Sequence, residues 1–594
     1  MKKHILSILL ITLLCGGCKN KVLNISETIA DDGFEPMLKA YYEEGLLLDP
    51  IKATTSGDKR YNDQFTNALS IAHIKKQKEY YTKYLEKVNS YDMAKLTEPQ
   101  QMSQAILQWE CERNLERLGF KNHAYFPIDQ MWSPNLFFGQ LASGASAQPF
   151  ETVADYIKWM QRVDGYLNWL VNAASNMQEG IQEGYVLPKA LIKKVIPQLA
   201  EMTNPVLEEH LFYSPIKNMP AAFSEKNKKQ LTQQYSDMII NKVIPSYQIV
   251  HDFVAGEYLK AGRESSGIDA IPNGGEYYNH QIKLYTTTRM TAEEIHRLGL
   301  SEVARILSEM ETVKNEIGFK GDLKAFFNDI RSNPKLMPFK SPEEVIANFN
   351  AIHSTMKPQL EKLFDMTPKT PFEVRQTEAF RENSASAEYN PGSLDGTRPG
   401  IFYTPIPDAT KYNTYSDESL FLHEAIPGHH YQISLTQENG DLSDFRKTLW
   451  YSGYGEGWAL YCESLGKELG LYTDPYQYFG MLGAEMHRAI RLVVDTGMHT
   501  KGWSREKAIQ YSMDNEAEPK AGIISEIERY MANPGQALSY KIGQLKLQEL
   551  RAKAKKEMGN SFDIRQFHNQ ILETGCVPLA LLEDKIDRWI ASSK

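Results

Sequence analysis

Over most of this 594-residue chain, apolar residues recur at the period of an α-helix, and the periodic runs open on helix-start signals. Thr291-Ala292-Glu293-Glu294 has the form of a capping box. Ile295, Leu298, Val303, Ile306, Leu307, Met310 and Val313 then follow along one face. Ser341-Pro342-Glu343-Glu344 repeats the signal with proline in the first turn, ahead of Val345, Phe349, Ile352 and Met356. The stretches near 36–48, 68–118, 150–178, 225–262 and 545–590 read the same way. One region differs: Phe372–Gln376, Ser384–Tyr389 and Gly400–Thr404 read as short strands, with Asn390-Pro391-Gly392 and Arg398-Pro399-Gly400 as turns. The expectation is a mainly α, multi-helix fold with a small antiparallel sheet. Residues 19–280 would form an N-terminal helical lobe, and residues 281–594 a second lobe carrying the sheet and the candidate site.

Composition narrows the class. With 38 Gly and 28 Pro, the chain is neither collagen-like nor disordered. Beyond the first eighteen residues, Cys111, Cys462 and Cys576 stand far apart with no CxxC spacing, so they do not make a disulfide framework and read as buried thiols. Lys and Arg number 66 against 75 Asp and Glu, a net charge of −9 with no long basic tract, which argues against a nucleic-acid partner.

The first eighteen residues read as an address. Met1-Lys2-Lys3-His4 is basic, Ile5 to Leu14 is apolar but too short to span a bilayer, and Cys15-Gly16-Gly17-Cys18 follows. Small residues before a cysteine resemble a bacterial lipobox, in which Cys18 becomes the acylated first residue. Cys15 stands where such boxes usually carry leucine, so secretion without an anchor is the alternative. The mature chain is expected in the cell envelope, touching a membrane only through its lipid.

Three of the 14 histidines fall within residues 423–430, in Phe421-Leu422-His423-Glu424-Ala425-Ile426-Pro427-Gly428-His429-His430. A zinc hydrolase needs neutral imidazole ligands, an open coordination position and a nearby carboxylate as base. A helix ordinarily delivers these with histidines at i and i+4, about 40° apart. Here the i+4 position is Pro427. His430, at i+7, lies about 20° from His423 but two turns away, whereas His429 is on the wrong side of an unbroken helix. Pro427 cannot donate to the His423 carbonyl and Gly428 tolerates unusual dihedrals, so an interrupted turn is expected. Geometry leaves His429 and His430 both open. Glu456, 33 residues beyond His423, opens a helical run, and Glu456-Gly457-Trp458-Ala459 resembles the segment that supplies the glutamate ligand in aminopeptidase N-type zinc peptidases.

The segments HEAIPGHHYQ (423–432), GEGWALYCE (455–463), RLVVDTGMHTKGWSREKA (491–508) and PGQALSYKIG (534–543) together resemble a bacterial family of lipoproteins and secreted proteins of unknown function. Leu48 to Asp58 matches as well, so the likeness covers nearly the whole mature chain. The family is considered a gluzincin-like zinc metallopeptidase group with a mainly helical fold. The likeness implies His429 as the ligand over His430, one Zn²⁺ held by His423, His429 and Glu456, and Glu424 as the base.

His499 and Tyr540 are candidate donors to an oxyanion. Arg491 and Tyr403 are candidate contacts to a peptide substrate, and the strand at 400–404 offers an edge for an extended peptide. The expected activity is peptide-bond hydrolysis by water that Glu424 deprotonates. Two alternatives stand beside it: a lipid-anchored binding protein whose metal is structural or absent, and a metal-dependent amidase acting on cell-wall peptides.

Overall fold

The helices form where the start signals stand. In the computed structural model, which describes residues 33–378, 382, 386–393 and 398–593, the chain opens with α1 (Phe34–Leu48), α2 (Glu98–Arg117), α3 (Val153–Glu183) and α4 (Gly274–Thr286). Next come α5 (Ala292–Ile317) and α6 (Pro342–Met356). The Thr291 box closes in both directions: the Glu294 amide donates to Thr291 Oγ1, and the Thr291 amide donates to Glu294 at 2.9 Å. Gly318, at φ 84°, ends α5 in the left-handed region that suits glycine. The periodic run at 68–118 is two helices, because Asp92 caps a short 3₁₀ turn and Pro99 stands in the first turn of α2. The run at 225–262 widens into π-turns at Ile239–Val243 and Val254–Tyr258; the first precedes Pro245, which has no amide for the regular ladder.

The three strands, β1 (Phe372–Gln376), β2 (Glu388–Asn390) and β3 (Gly400–Thr404), form a sheet in the order β1-β3-β2. Its first pairing is parallel, with Val374 opposite Phe402, and its second is antiparallel, with Tyr389 opposite Phe402. The expected antiparallel sheet is therefore a mixed one. The chain between β1 and β3 is long enough for a crossover, and β2 occupies the far side of β3. With both edges of β3 paired, that strand offers no edge to an added peptide. Part of the expected second strand, Ser384 and Ala385, lies outside the described residues.

The remaining helices surround the candidate site: α7 (Asp417–Glu424), α8 (His429–Glu438), α9 (Ser452–Glu463), α10 (Pro475–Thr500), α11 (Lys520–Ala532) and α12 (Ser539–Met558). Packing does not divide at residue 280. The largest core joins Phe34, Leu38, Tyr84 and Cys111 from the N-terminal helices to Ile306, Phe421, Trp458, Val494 and Ile590. A second core, around Phe138, Trp159, Tyr166 and Tyr247, lies within residues 69–258. The helix α10 runs through the main core against α5, where a Cβ on Gly299 would stand 2.7 Å from that of Leu492. Cys111, Cys462 and Cys576 are buried free thiols. No helix among the described residues is long and apolar enough to cross a membrane.

Candidate metal centre

The break between α7 and α8 decides which histidine meets His423. The Ala425 amide still reaches the Phe421 carbonyl at 2.9 Å, so helical bonding continues to that point and then stops at Pro427. Gly428 passes so close to the His423 carbonyl oxygen that a Cβ there would overlap it outright. The Pro427 carbonyl accepts from Trp458 Nε1 at 2.9 Å and Cys462 Sγ at 3.4 Å, which fastens the break to α9. Helical bonding resumes when the Gln432 amide donates to the Gly428 carbonyl. The rings of His423 and His429 consequently stand 4.8 Å apart at 88°. His430 turns instead toward the sheet, where Tyr389 Oη lies 2.9 Å from its Nδ1 and Phe372 packs on its ring.

The third residue arrives on α9. That helix crosses α12 backbone against backbone: a Cβ on Gly457 would lie 2.5 Å from the Gly543 Cα, so neither glycine admits a side chain. The crossing positions Glu456, whose Oε2 is 3.6 Å from His423 Nε2 and 3.5 Å from His429 Nε2. All three candidate ligand atoms lie within 4.8 Å of one another. Two ligands of one tetrahedral zinc, each bonded at about 2.0–2.1 Å, stand about 3.3 Å apart. These separations are long for direct hydrogen bonds and close to what a shared ion requires.

The surroundings fit a cation. His423 Nδ1 lies 2.8 Å from Glu463 Oε1, and Ser419 Oγ donates to the other oxygen of that carboxylate at 2.7 Å. A proton on Nδ1 leaves Nε2 as a lone pair aimed at Glu456, the arrangement that outer carboxylates impose on metal-binding histidines. Burial opposes charge on His423, yet the carboxylates of Glu456, Glu463 and Glu424 raise it to about 9. Burial likewise disfavours charge on Glu456, but the two imidazoles hold it well below the usual carboxylate range. Glu424 is pushed up by burial, against the pull of both histidines and of Arg488. Three carboxylates around two imidazoles in a buried site call for a positive charge among them.

Other residues singled out in the sequence divide. Tyr540, on α12 three residues before Gly543, is close enough for the Glu456 charge to raise its hydroxyl after burial has done so. Arg491 stacks over the Tyr540 ring at 4.5 Å, but its guanidinium is taken up by Tyr530 Oη at 3.0 Å and Glu526 at 3.0 Å. It braces Tyr540, and of its three nitrogens only the buried Nη1 has no partner. His499 does not reach the cluster: its Nδ1 accepts from the Ile268 amide at 3.0 Å, and Nε2 bonds the Tyr530 carbonyl at 3.1 Å. Fully buried and held at about 3 mainly by burial, it joins α10 to its neighbours and has no proton to offer an oxyanion. Tyr403 stands opposite Arg375 and Glu388 on the half-buried face of β3, and the adjacent Phe402 packs on the other face against Phe349. Cys18 lies outside the described residues.

Sequence reasoning missed Glu463, Arg488 and Trp450. Glu463 had a signal, since it is i+7 from Glu456 and so shares its helix face. Trp450, 47% exposed, lodges against Gly455 with its ring 5.9 Å from that of His429. Nothing in the sequence pattern points to it, because it precedes α9 in a loop.

The chain belongs to the family described as bacterial protein of unknown function (DUF885), which matches residues 50–586. Among solved structures it is similar to "the putative lipoprotein from Colwellia psychrerythraea", with 26% identity and a TM-score of 0.86 over 95% of this chain and 99% of that one. It also shares the fold of "a putative lipoprotein of unknown function from Shewanella oneidensis", with 18% identity and a TM-score of 0.70 over 93% and 99% of the two chains. No curated protein matches.

Proposed function

We propose that this member of a family of unknown function is a zinc-dependent peptidase of the cell envelope. His423, His429 and Glu456 hold one Zn²⁺, and Glu424 is the general base. The observation that carries this reading is the convergence of three buried ligand atoms next to a buried carboxylate. Among the described residues, Glu424 accepts no hydrogen bond and is free to take a proton. A structural zinc would be closed by a fourth protein ligand, and the neighbouring His430 is engaged by Tyr389 and Ser434 instead. That favours an open position and catalysis over a purely structural ion.

Bound at these residues, zinc supplies Lewis acidity, polarising a carbonyl and acidifying water. The carboxylate of Glu424 accepts a proton from the attacking water as the new C–O bond forms. It returns that proton to the amide nitrogen as the C–N bond breaks. The Tyr540 hydroxyl, braced by Arg491, donates to the carbonyl oxygen as charge gathers there. His423 keeps its orientation through Glu463. An amidase acting on cell-wall peptides would use the same groups and differ only in the chain that enters. Acylation of Cys18 would tether the protein to the envelope, in keeping with the description given to its structural relatives.

The test is metal analysis of the purified chain followed by digestion of a peptide library and of cell-wall peptides. Glu424→Gln is expected to retain zinc and lose turnover; retained cleavage would sink the mechanism. Bound zinc without cleavage of either library by the unaltered protein would support a binding protein instead.

A further inference from the structure

The helix α10 is buried along most of its length, yet Gly483, Ala484, His487 and Arg488 form a half-buried stripe. That stripe faces a cavity of about 140 Å³, and His423 and Glu463 are on its wall. A space of this volume would hold about five waters. The space is on the scale of one small terminal residue, which spans about 3.3–3.6 Å along the chain. Small side chains make the room: a Cβ on Gly483 would meet nothing within 4 Å.

Most charged groups around this cavity are already matched. His487 is 2.6 Å from Glu516, which also accepts from Ser512. Glu463 is shared by His423 and Ser419. On the next turn of the helix, Arg491 is paired with Glu526. Glu518 is exposed at the rim, where water screens it. Arg488 differs. Among the described residues it has no ion pair. Its one hydrogen bond runs from Nη1 to the Ala484 carbonyl of its own helix at 3.2 Å, and its buried Nε has no partner. Glu424 feels the charge of Arg488 without pairing with it. A half-buried guanidinium whose shielded Nε has no partner is costly, and its planar fork is shaped for a carboxylate.

Resting on the peptidase reading above, we propose that Arg488 receives the free α-carboxylate of the residue being released, so that the site removes single small residues from carboxyl ends. A terminal residue seated between Arg488 and His423 places its own amide bond at the metal cluster and leaves the rest of the chain on the other side.

The test uses the zinc-loaded full chain and a pool of N-acetylated tripeptides, each as the free acid and as the carboxamide. The acids should be cleaved with a kcat/KM at least about 100-fold above that of the amides, the scale expected for a desolvated charge pair. Arg488→Gln should bring the acids down to the level of the amides. Gly483→Leu, which fills the cavity in a helix position that disfavours glycine, should slow the acids while zinc content stays unchanged. Equal cleavage of acids and amides by the unaltered protein would overturn the assignment and leave the peptidase reading standing. A second readout needs no turnover. In Glu424→Gln protein, acetyl-alanine should bind at least tenfold more tightly than its amide by calorimetry, and Arg488→Gln should erase the difference. Equal binding, or binding of neither probe, would overturn the assignment even if the protein cleaves nothing.

Discussion

Removing the carboxylate behind His423 should weaken zinc binding without touching a ligand. Glu463 Oε1 lies 2.8 Å from His423 Nδ1, and both side chains are almost fully buried, at 2% and 5% exposure. A buried hydrogen bond to a charged group contributes about 1.5–3 kcal/mol, and about 1.4 kcal/mol is a factor of ten in affinity. Loss of the charge and loss of the orientation can be separated. Glu463→Gln keeps an acceptor for Nδ1 and can turn its amide toward Ser419 Oγ, so only the charge goes; a roughly 10-fold weaker zinc dissociation constant is expected. Glu463→Ala leaves the His423 Nδ1 proton and the Ser419 hydroxyl unpaired, and should cost roughly 100-fold. The assay is competition with a chromogenic chelator at fixed pH on the full chain, with a melting curve of the metal-free protein as control. The alanine variant should also lose about 1–3 kcal/mol of stability. Unchanged zinc affinity in Glu463→Ala, alongside complete loss in His423→Asn, would refute the claim that Glu463 orients the ligand.

Three further expectations follow from the same geometry. His429→Asn should abolish zinc binding, while His430→Asn should retain one zinc per chain and lose only about 0.5–1.5 kcal/mol of stability with its Tyr389 bond; equilibrium dialysis and melting curves separate the two. Gly428→Ala sets a Cβ onto the His423 carbonyl oxygen, so the backbone must move, at about 1–3 kcal/mol or more, and zinc affinity should fall with the melting temperature. Asp417, buried in the first turn of α7 with Tyr412 and Asn348 as partners, is raised to about 8, chiefly by burial. Its folded form holds a proton that the unfolded chain releases near 4, so its stabilising contribution is complete below about pH 4 and is lost as pH rises through about 8. Asp417→Asn should flatten the decline of melting temperature between pH 5 and 8, and an unchanged pH profile would contradict that assignment.

The helices were legible because their signals are local. The capping box at Thr291 and the proline at 342 specify where α5 and α6 begin without reference to any other part of the chain. The strands at 372–376 and 400–404 were legible for the same reason, but their pairing was not. Strand direction depends on the path of the connection, and β2 took the far side of β3. Among site residues, Glu463 was legible in principle from its i+7 relation to Glu456. Arg488 and Arg491 present the same residue type three positions apart, and only their neighbours separate them. Glu526 and Tyr530, brought by α11, bond to Arg491, whereas among the described residues no side chain bonds to Arg488.

By itself, the sequence determined that this chain is helical, that no i+4 ligand follows His423, and that a break must fall at Pro427-Gly428. Those properties reside in single residues: proline has no amide to donate, and glycine alone admits a backbone oxygen where a Cβ would stand. Which histidine the break presents was decided by tertiary structure. Trp458 and Cys462 on α9 hold the Pro427 carbonyl, the glycine-to-glycine crossing of α9 and α12 sets Glu456 between the two rings, and the sheet takes His430 for itself. The direction of a side chain after a helix break depends on whatever packs against the break, and those contacts come from residues tens of positions away.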